Sequence, residues 1–240
     1  MRLQLERVLG KYPNVRFSQQ YRCYWGRFGI VEATVSCMRE ALETPFDYAV
    51  LLSGQDYPAK SNQAIKQFFL ERPGKEFIES FSMVLPNRWA DRARERAFGF
   101  VIAFRSRLLR TGWTRKFPLG YVPYGGTQWW ALSREAIEYI LRFLSHHPRF
   151  YRYFRFTYAP DEIIFQSILS NSDFRDRISG KITYDDWSNL SPPYPKVLDE
   201  SDFSVLESSN WLFARKFDYA TSEKLRVLLD DQRREGKAPT

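Results

Sequence analysis

The sequence is poor in the residues that carry the commonest catalytic and structural chemistries. Two cysteines, Cys23 and Cys37, exclude a disulfide framework and a cysteine-based zinc site. The two histidines, His146 and His147, are adjacent and precede Pro148, where a helix is expected to end. They leave no material for a His-rich metal centre, any Ser-His-Asp arrangement would rest on them alone, and the simpler reading is a basic helix C-terminus. No apolar run reaches the roughly 20 residues needed to cross a bilayer. The opening MRLQLERVLG lacks the apolar core of a signal peptide, so the expected location is cytoplasmic or peripheral to the cytoplasmic membrane face. No internal repeat or low-complexity segment is present.

Aromatic and basic residues are abundant. The 240 residues include 20 Phe, 14 Tyr and 7 Trp, and 36 Lys and Arg against 28 Asp and Glu give a net charge of +8. An anionic partner is therefore expected. Between Pro86 and Tyr124, nine basic residues (Arg88, Arg92, Arg94, Arg96, Arg105, Arg107, Arg110, Arg115 and Lys116) face two acids, Asp91 and Glu95, a net of +7. Nearly all the excess charge lies in this stretch, which reads as an irregular insert suited to docking an anionic acceptor or membrane surface.

Hydrophobic periodicity predicts alternating α and β elements in one domain spanning 1–240. Val31, Val35, Met38 and Leu42 form one stripe of a helix over Gly29–Glu43. Phe46–Ser53 is a short continuous apolar run, the pattern of a strand covered on both faces as in a parallel sheet. Ser61 is placed to cap a helix carrying Ile65, Phe68 and Phe69, and a strand follows at Glu76–Glu79. TQWWAL reads as a strand, after which Ser133 caps a helix with Ile137, Ile140, Leu141 and Leu144. Pro160 suits the first position of a helix and puts Asp161 and Glu162 in its first turn. Ile182–Pro195, with Pro192 and Pro193, reads as a loop; WLFA and a helix using Leu225, Leu228 and Leu229 complete the chain. In open α/β sheets ligands bind at loops beyond strand C-termini, which makes the SGQDYPAKS loop a candidate site.

Four segments, in this order and spacing, resemble the Core-2/I-branching glycosyltransferases, a family that includes β-1,6-N-acetylglucosaminyltransferases and peptide O-xylosyltransferases. They are Tyr24-Trp25-Gly26 with VEATV; LLSGQDYPAKS; GGTQWW (Gly125–Trp130); and Pro160-Asp161-Glu162 together with FARKF (Phe213–Phe217). The resemblance implies an α/β, GT-A-type Rossmann-like nucleotide-sugar transferase fold. It also implies a UDP-sugar donor carrying GlcNAc or Xyl, a glycan or protein hydroxyl as acceptor, and inversion at the anomeric carbon. The family opens with a βαβ segment that holds the uridine, whereas this chain begins almost at the Trp-Gly stretch. Either that segment is lacking here or the uracil pocket is built differently.

An inverting transfer is a single displacement, so a carboxylate must take the acceptor proton. By resemblance that base is Glu162; on the residue alone, an acid in a first turn can simply complement the helix dipole. Asp161 beside it is expected to orient the loop. Arg215 and Lys216 match the family's diphosphate-binding pair, and Lys196 matches a further basic contact; the residue-level alternative is a solvated basic pair after a strand. Basic side chains in this role imply no metal, and the adjacent pairs Asp185-Asp186 and Asp230-Asp231 do not follow a buried strand. Gln128 and Trp129 fall where the family contacts the donor sugar, and the xylosyltransferase branch carries an acid where Gln128 stands. Trp129 and Trp130 alternate across a strand, so one should be core and the other free to stack on a sugar. Asp56 is either a polar contact near the donor or a turn residue capping its own backbone. Trp187 and Tyr184 are either an acceptor platform or packing. Two other readings remain open at this level: a basic nucleic-acid-binding protein, although no recognised nucleic-acid motif is present, and a catalytically degenerate member that binds glycans.

Overall fold

The computed structural model describes residues 2–87, 89, 91–104, 107–188 and 194–234; Arg88, Arg105, Pro192 and Pro193 lie outside them. In chain order the elements are α1 (Arg2–Leu9), α2 (Gly29–Ala41), β1 (Tyr48–Val50), β2 (Asp56–Pro58), α3 (Asn62–Leu70), β3 (Phe77–Ile78), β4 (Phe81–Ser82), α4 (Asp91–Phe98), β5 (Gly99–Phe104), β6 (Arg107–Thr114), β7 (Tyr124–Gly125), β8 (Trp130–Ser133), α5 (Arg134–His146), α6 (Pro148–Tyr153), α7 (Ile164–Ser170), β9 (Thr183–Asp185), α8 (Phe203–Ser208), β10 (Phe213–Arg215) and α9 (Glu223–Arg234). The fold is mixed α/β.

The helix starts follow from capping chemistry. Ser61 Oγ accepts from the Ala64 amide at 3.2 Å and Ser133 Oγ from the Ala136 amide at 3.1 Å, each satisfying a donor that has no partner inside its helix. Leu225 and Leu229 of α9 are buried as the periodicity requires, while Leu228 faces outward.

The first sheet has the order β1-β8-β3, and its pairing corrects the expected parallel sheet. Both β1 and β3 run antiparallel to β8, so they share a direction but are separated by a reversed strand. The apolar run at 46–53 reflects something else correctly, namely cover on both faces. Ile78, Trp130 and Leu132 pack with the stripes of α2, α5 and α7 on one side. Phe77 and Ala131, with Tyr48 and Val50, pack on the other side against Ile65, Phe68 and Phe69 of α3. Double cover makes a strand apolar whichever way its neighbour runs.

A second sheet, β2-β10-β9, has one antiparallel and one parallel pairing. Beneath it Ala59, Leu198, Leu206, Ala214, Phe217, Leu225 and Leu229 form a separate core with α8 and α9. Strand β9 lies in the region expected to be loop, so Tyr184 is a strand residue.

The stretch expected to be irregular contains α4 and an antiparallel ribbon, β5 with β6. Arg115 anchors the ribbon: its guanidinium donates to the carbonyls of Tyr153 (2.9 Å), Gly99 (2.6 Å) and Phe156 (2.9 Å) and lies 3.8 Å from the Tyr153 ring centroid. Phe100 stacks on Phe156 with centroids 5.0 Å apart. The density of Arg hid a strand pattern rich in Phe, Val, Ile and Leu.

Candidate active site

Glu162 sits in a short 3₁₀ turn, Pro160–Glu162, and α7 begins separately at Ile164. Pro160 holds the first position as expected, but the turn breaks at Ile163, so Asp161 and Glu162 precede the α-helix rather than open it. Two motifs grip this turn through the backbone. The Ala159 amide donates to Gly26 O at 2.9 Å, and the Gly126 amide donates to Glu162 O at 3.0 Å. Glycine is required at both grips. Gly26 has φ +70° with the Tyr158 ring close by, and a Cβ on Gly126 would stand 1.9 Å from Glu79 O. Trp-Gly, GGTQWW and Pro-Asp-Glu are therefore neighbours in space.

The Glu162 carboxylate lines an open cavity of about 670 Å³, walled by Trp25, Trp89, Arg96, Tyr158 and Trp187 among others. Arg96 Nη2 reaches Glu162 Oε2 at 2.5 Å. The Arg96 guanidinium also lies 3.9 Å from the Trp89 ring centroid, so an aromatic face and a carboxylate fix its plane together. Trp25 and Trp187 are 63% and 55% exposed, which leaves aromatic surface open to a ligand at this cavity. The Trp187 indole is oriented by donating to Asp185 Oδ2. Sequence reasoning counted Arg96 only as part of a basic insert; its pairing with Glu162, 66 positions away, has no local signal.

Asp161 points the other way. Its side chain is 4% exposed, and Oδ1 has no hydrogen-bond partner among the described residues. Burial and the neighbouring Glu162 push its carboxyl up to about 7.

Beside this cavity the second sheet sets Asp56, Arg215 and Asp185 in register across three strands. Arg215 Nε is 3.4 Å from Asp56 Oδ1, and neither atom has a hydrogen-bond partner among the described residues. The Asp56 side chain has no accessible surface, and its Oδ2 accepts from the Ser53 amide. It both closes its own turn and faces the guanidinium, so what it touches is Arg215. The guanidinium lies 4.0 Å from the Trp129 ring centroid. Burial pushes the Arg215 pKa down, opposed first by Asp56 and then by Glu162, which places the Glu162 charge within electrostatic reach.

Trp130, the first residue of β8, is the core member of the tryptophan pair; Trp129 precedes the strand and is half-buried, with the Arg215 guanidinium over its ring. Gln128 lies between Trp129 and Thr127 of the cavity wall. Lys216 and Lys196 are joined through the backbone, the Lys216 amide donating to Lys196 O at 3.4 Å. Lys196 Nζ is paired with Asp202 at 2.8 Å, and that hydrogen bond raises its pKa. Lys216 Nζ lies 4.8 Å from the Tyr194 ring centroid. Tyr184 packs against the second core and Trp211, and is not among the residues lining the Glu162 cavity.

The family model described as Core-2/I-Branching enzyme matches residues 2–207. Similar curated proteins include xylosyltransferase oxt of Drosophila melanogaster, 24% identical over 92% of this chain and 27% of that protein. Xylosyltransferase 2 of Homo sapiens is 27% identical over 91% of this chain and 27% of its own length. Xylosyltransferase 1 of Pan troglodytes is 25% identical over 95% and 26%. The chain thus spans about a quarter of the length of these relatives. With the family match extending over most of its residues, the chain belongs to the Core-2/I-branching enzyme family.

Proposed function

We propose that the chain forms the single catalytic domain, of GT-A type, of an inverting glycosyltransferase that moves GlcNAc or Xyl from a UDP-sugar to a hydroxyl of a glycan or protein. The observations that carry this reading are a carboxylate held by an arginine at the cavity wall and, in register with the Asp185 that orients the cavity's Trp187, a second, buried arginine, Arg215, whose Nε has no hydrogen-bond partner among the described residues. In the reaction the acceptor oxygen attacks the anomeric carbon as its proton passes to the Glu162 carboxylate. The bond from that carbon to the β-phosphate oxygen breaks, and UDP departs with its negative charge neutralised.

Arg215 and Lys216 supply the neutralising charge, with Lys196 a third cation alongside, so no metal is required. Arg suits bidentate contact with phosphate oxygens, and Lys acts as a point charge. Asp56 positions Arg215 from beneath, a role distinct from contact with the donor sugar. Gln128 and Trp129 face the donor sugar; the amide hydrogen-bonds hydroxyls but brings no charge, unlike an acid at this position. Trp187 is the acceptor platform in this reading, in preference to Tyr184.

The test is UDP-sugar hydrolysis and transfer in EDTA, wild type against Glu162→Gln. Turnover should persist in EDTA and fall about 10²–10⁴-fold in the variant, the usual contribution of a general base. Unchanged turnover in Glu162→Gln removes it as the base, and complete loss in EDTA removes metal independence. Binding to oligonucleotides that falls steeply with salt, with no response to UDP, would favour the nucleic-acid reading instead. Acceptor binding without affinity for UDP would favour a degenerate glycan binder.

A further inference from the structure

A small pocket holding Phe100, Gly112 and Trp113 shares Arg96, Arg110 and Tyr158 with the Glu162 cavity, so one groove runs from the carboxylate to the β5–β6 ribbon. The ribbon is shaped to bring Trp113 there. In a regular strand Arg110 and Trp113, an odd number of positions apart, would face opposite sides. Here Val101 pairs with Arg110 but Gly99 with Thr114, so the register slips between them. Gly112 takes φ +76° inside this irregularity, a left-handed conformation that glycine adopts without steric cost. Such bulges re-aim a side chain, and this one sets Trp113 on the same pocket as Arg110. Thr111 Oγ1 holds the bulge by donating to Phe100 O at 2.8 Å and accepting from the Trp113 amide at 3.2 Å. The indole stacks on Phe100 with centroids 6.2 Å apart, and Phe100 stacks in turn on Phe156. Trp113 is still 71% exposed, which leaves its second ring face open.

We propose that this groove binds a chain of neutral, β-linked pyranose sugars, with the accepting sugar at Glu162 and a more distant sugar stacked on Trp113. The chemistry selects the ligand. A β-linked pyranose presents flat C–H faces ringed by hydroxyls. Trp113 offers a flat apolar face on a fixed support, and the Arg110–Glu95 pair, 3.0 Å apart, offers donors and an acceptor for the hydroxyls. The same pair disfavours a polyanion, because Glu95 offsets the Arg110 charge and repels phosphates. A peptide would bring backbone amides that an open indole face does not satisfy. The assignment of the accepting sugar rests on the transferase reading; stacking on Trp113 does not, since binding is measured without turnover.

The experiment is calorimetric titration of the full chain with cello-, chito- and xylo-oligosaccharides, each as disaccharide and hexasaccharide, and with UDP in parallel. In at least one series the hexasaccharide should bind more tightly than the disaccharide. Trp113→Ala should cut that ratio roughly tenfold, the scale of one truncated interface tryptophan, and Trp113→Phe should recover part of it. The disaccharide, measured on the same protein, controls for folding. Gly112→Ala tests the aiming of the indole: a Cβ there meets nothing within 4 Å, so its effect comes through the backbone, and it should lower the ratio in the same direction. The proposal is overturned by no binding of any oligosaccharide, by equal affinity for both lengths in every series, or by a ratio unchanged in Trp113→Ala. Binding of an oligonucleotide or an acidic peptide in place of every oligosaccharide overturns it equally. Length-dependent binding that needs Trp113, without affinity for UDP, would keep the subsite and overturn the transferase reading; UDP binding without length dependence would do the reverse.

Discussion

Arg96 and Glu162 are joined by a 2.5 Å ion pair at the wall of the cavity, with the arginine plane laid against Trp89. In the proposed transfer Glu162 is the base; a base that must meet an acceptor hydroxyl gains from being held in one place, and Arg96 supplies that constraint in two directions. It acts through Glu162, as a positioning residue.

Arg96→Ala is therefore expected to lower kcat about a hundredfold, the scale of a roughly 1 Å misplacement of a reacting group. The KM for UDP-sugar should change little, because the cations proposed to bind the diphosphate, Arg215 at the end of β10 and Lys216 after it, stand on a separate element from Arg96 in α4. Arg96→Lys should recover part of the loss, since it keeps the charge but not the planar fork. Steady-state kinetics with donor and acceptor varied separately checks this. A loss confined to donor KM would contradict the assignment.

Asp56 and Arg215 form the second relationship the site depends on. Removing the carboxylate leaves a buried guanidinium without its counter-charge, and breaking a buried pair in this way costs about 3–5 kcal/mol. Asp56→Ala should lower the denaturation midpoint and also weaken UDP binding in calorimetry. Asp56→Asn keeps the shape and the contact with the Ser53 amide, so it should cost less stability. Equal stability of Asp56→Ala and wild type would show that the pair is not a structural support.

Much of this framework was legible in the sequence because it rests on local rules. Ser61 and Ser133 cap helices through contacts three residues away, and the buried stripe of Ile137, Ile140 and Leu144 in α5 needs only the helical period. Strand neighbours and the Arg96 partnership are set by contacts across the chain. The apolar run at 46–53 records that both faces are covered, and that cover is the same whether β8 runs with β1 or against it. The β5–β6 ribbon was hidden for a different reason: its basic side chains include one, Arg115, that works as an internal clamp on three carbonyls rather than as a solvated charge.

Asp161 gives a pH dependence whose sign can be worked out. Burial and then Glu162 raise its folded-state pKa to about 7 from an ordinary 3.8. The folded protein thus holds this proton more tightly than the unfolded chain, and stability falls as pH rises from about 4 to about 7. The slope is on the order of 1 kcal/mol per pH unit at most, and is level above that window. Asp161→Asn removes the titration, so it should flatten this part of the profile and raise the thermal midpoint at pH 8 relative to wild type. Thermal denaturation at pH 5 and pH 8 measures both. Parallel profiles for the two proteins would mean that Asp161 stays ionised in the fold.

Gly126 tests whether the grip on the Glu162 turn is as close as the backbone geometry requires. A Cβ there meets Glu79 O at 1.9 Å and the Glu79 carbonyl carbon at 2.7 Å, both backbone atoms that cannot turn aside. The Gly126 amide is also the donor to Glu162 O, so a shift that relieves the clash moves the turn that carries Glu162. Gly126→Ala is expected to cost about 3 kcal/mol or more, at or beyond the upper end of ordinary overpacking. Any folded fraction should show reduced kcat. Gly54 is the control, because a Cβ there meets nothing within 4 Å and its φ is not in the left-handed region. Gly54→Ala should leave the urea midpoint within about 0.5 kcal/mol of wild type, as surface changes usually do. If the two alanine variants unfold at the same urea concentration, the close approach of Gly126 to Glu79 does not hold Glu162 in place.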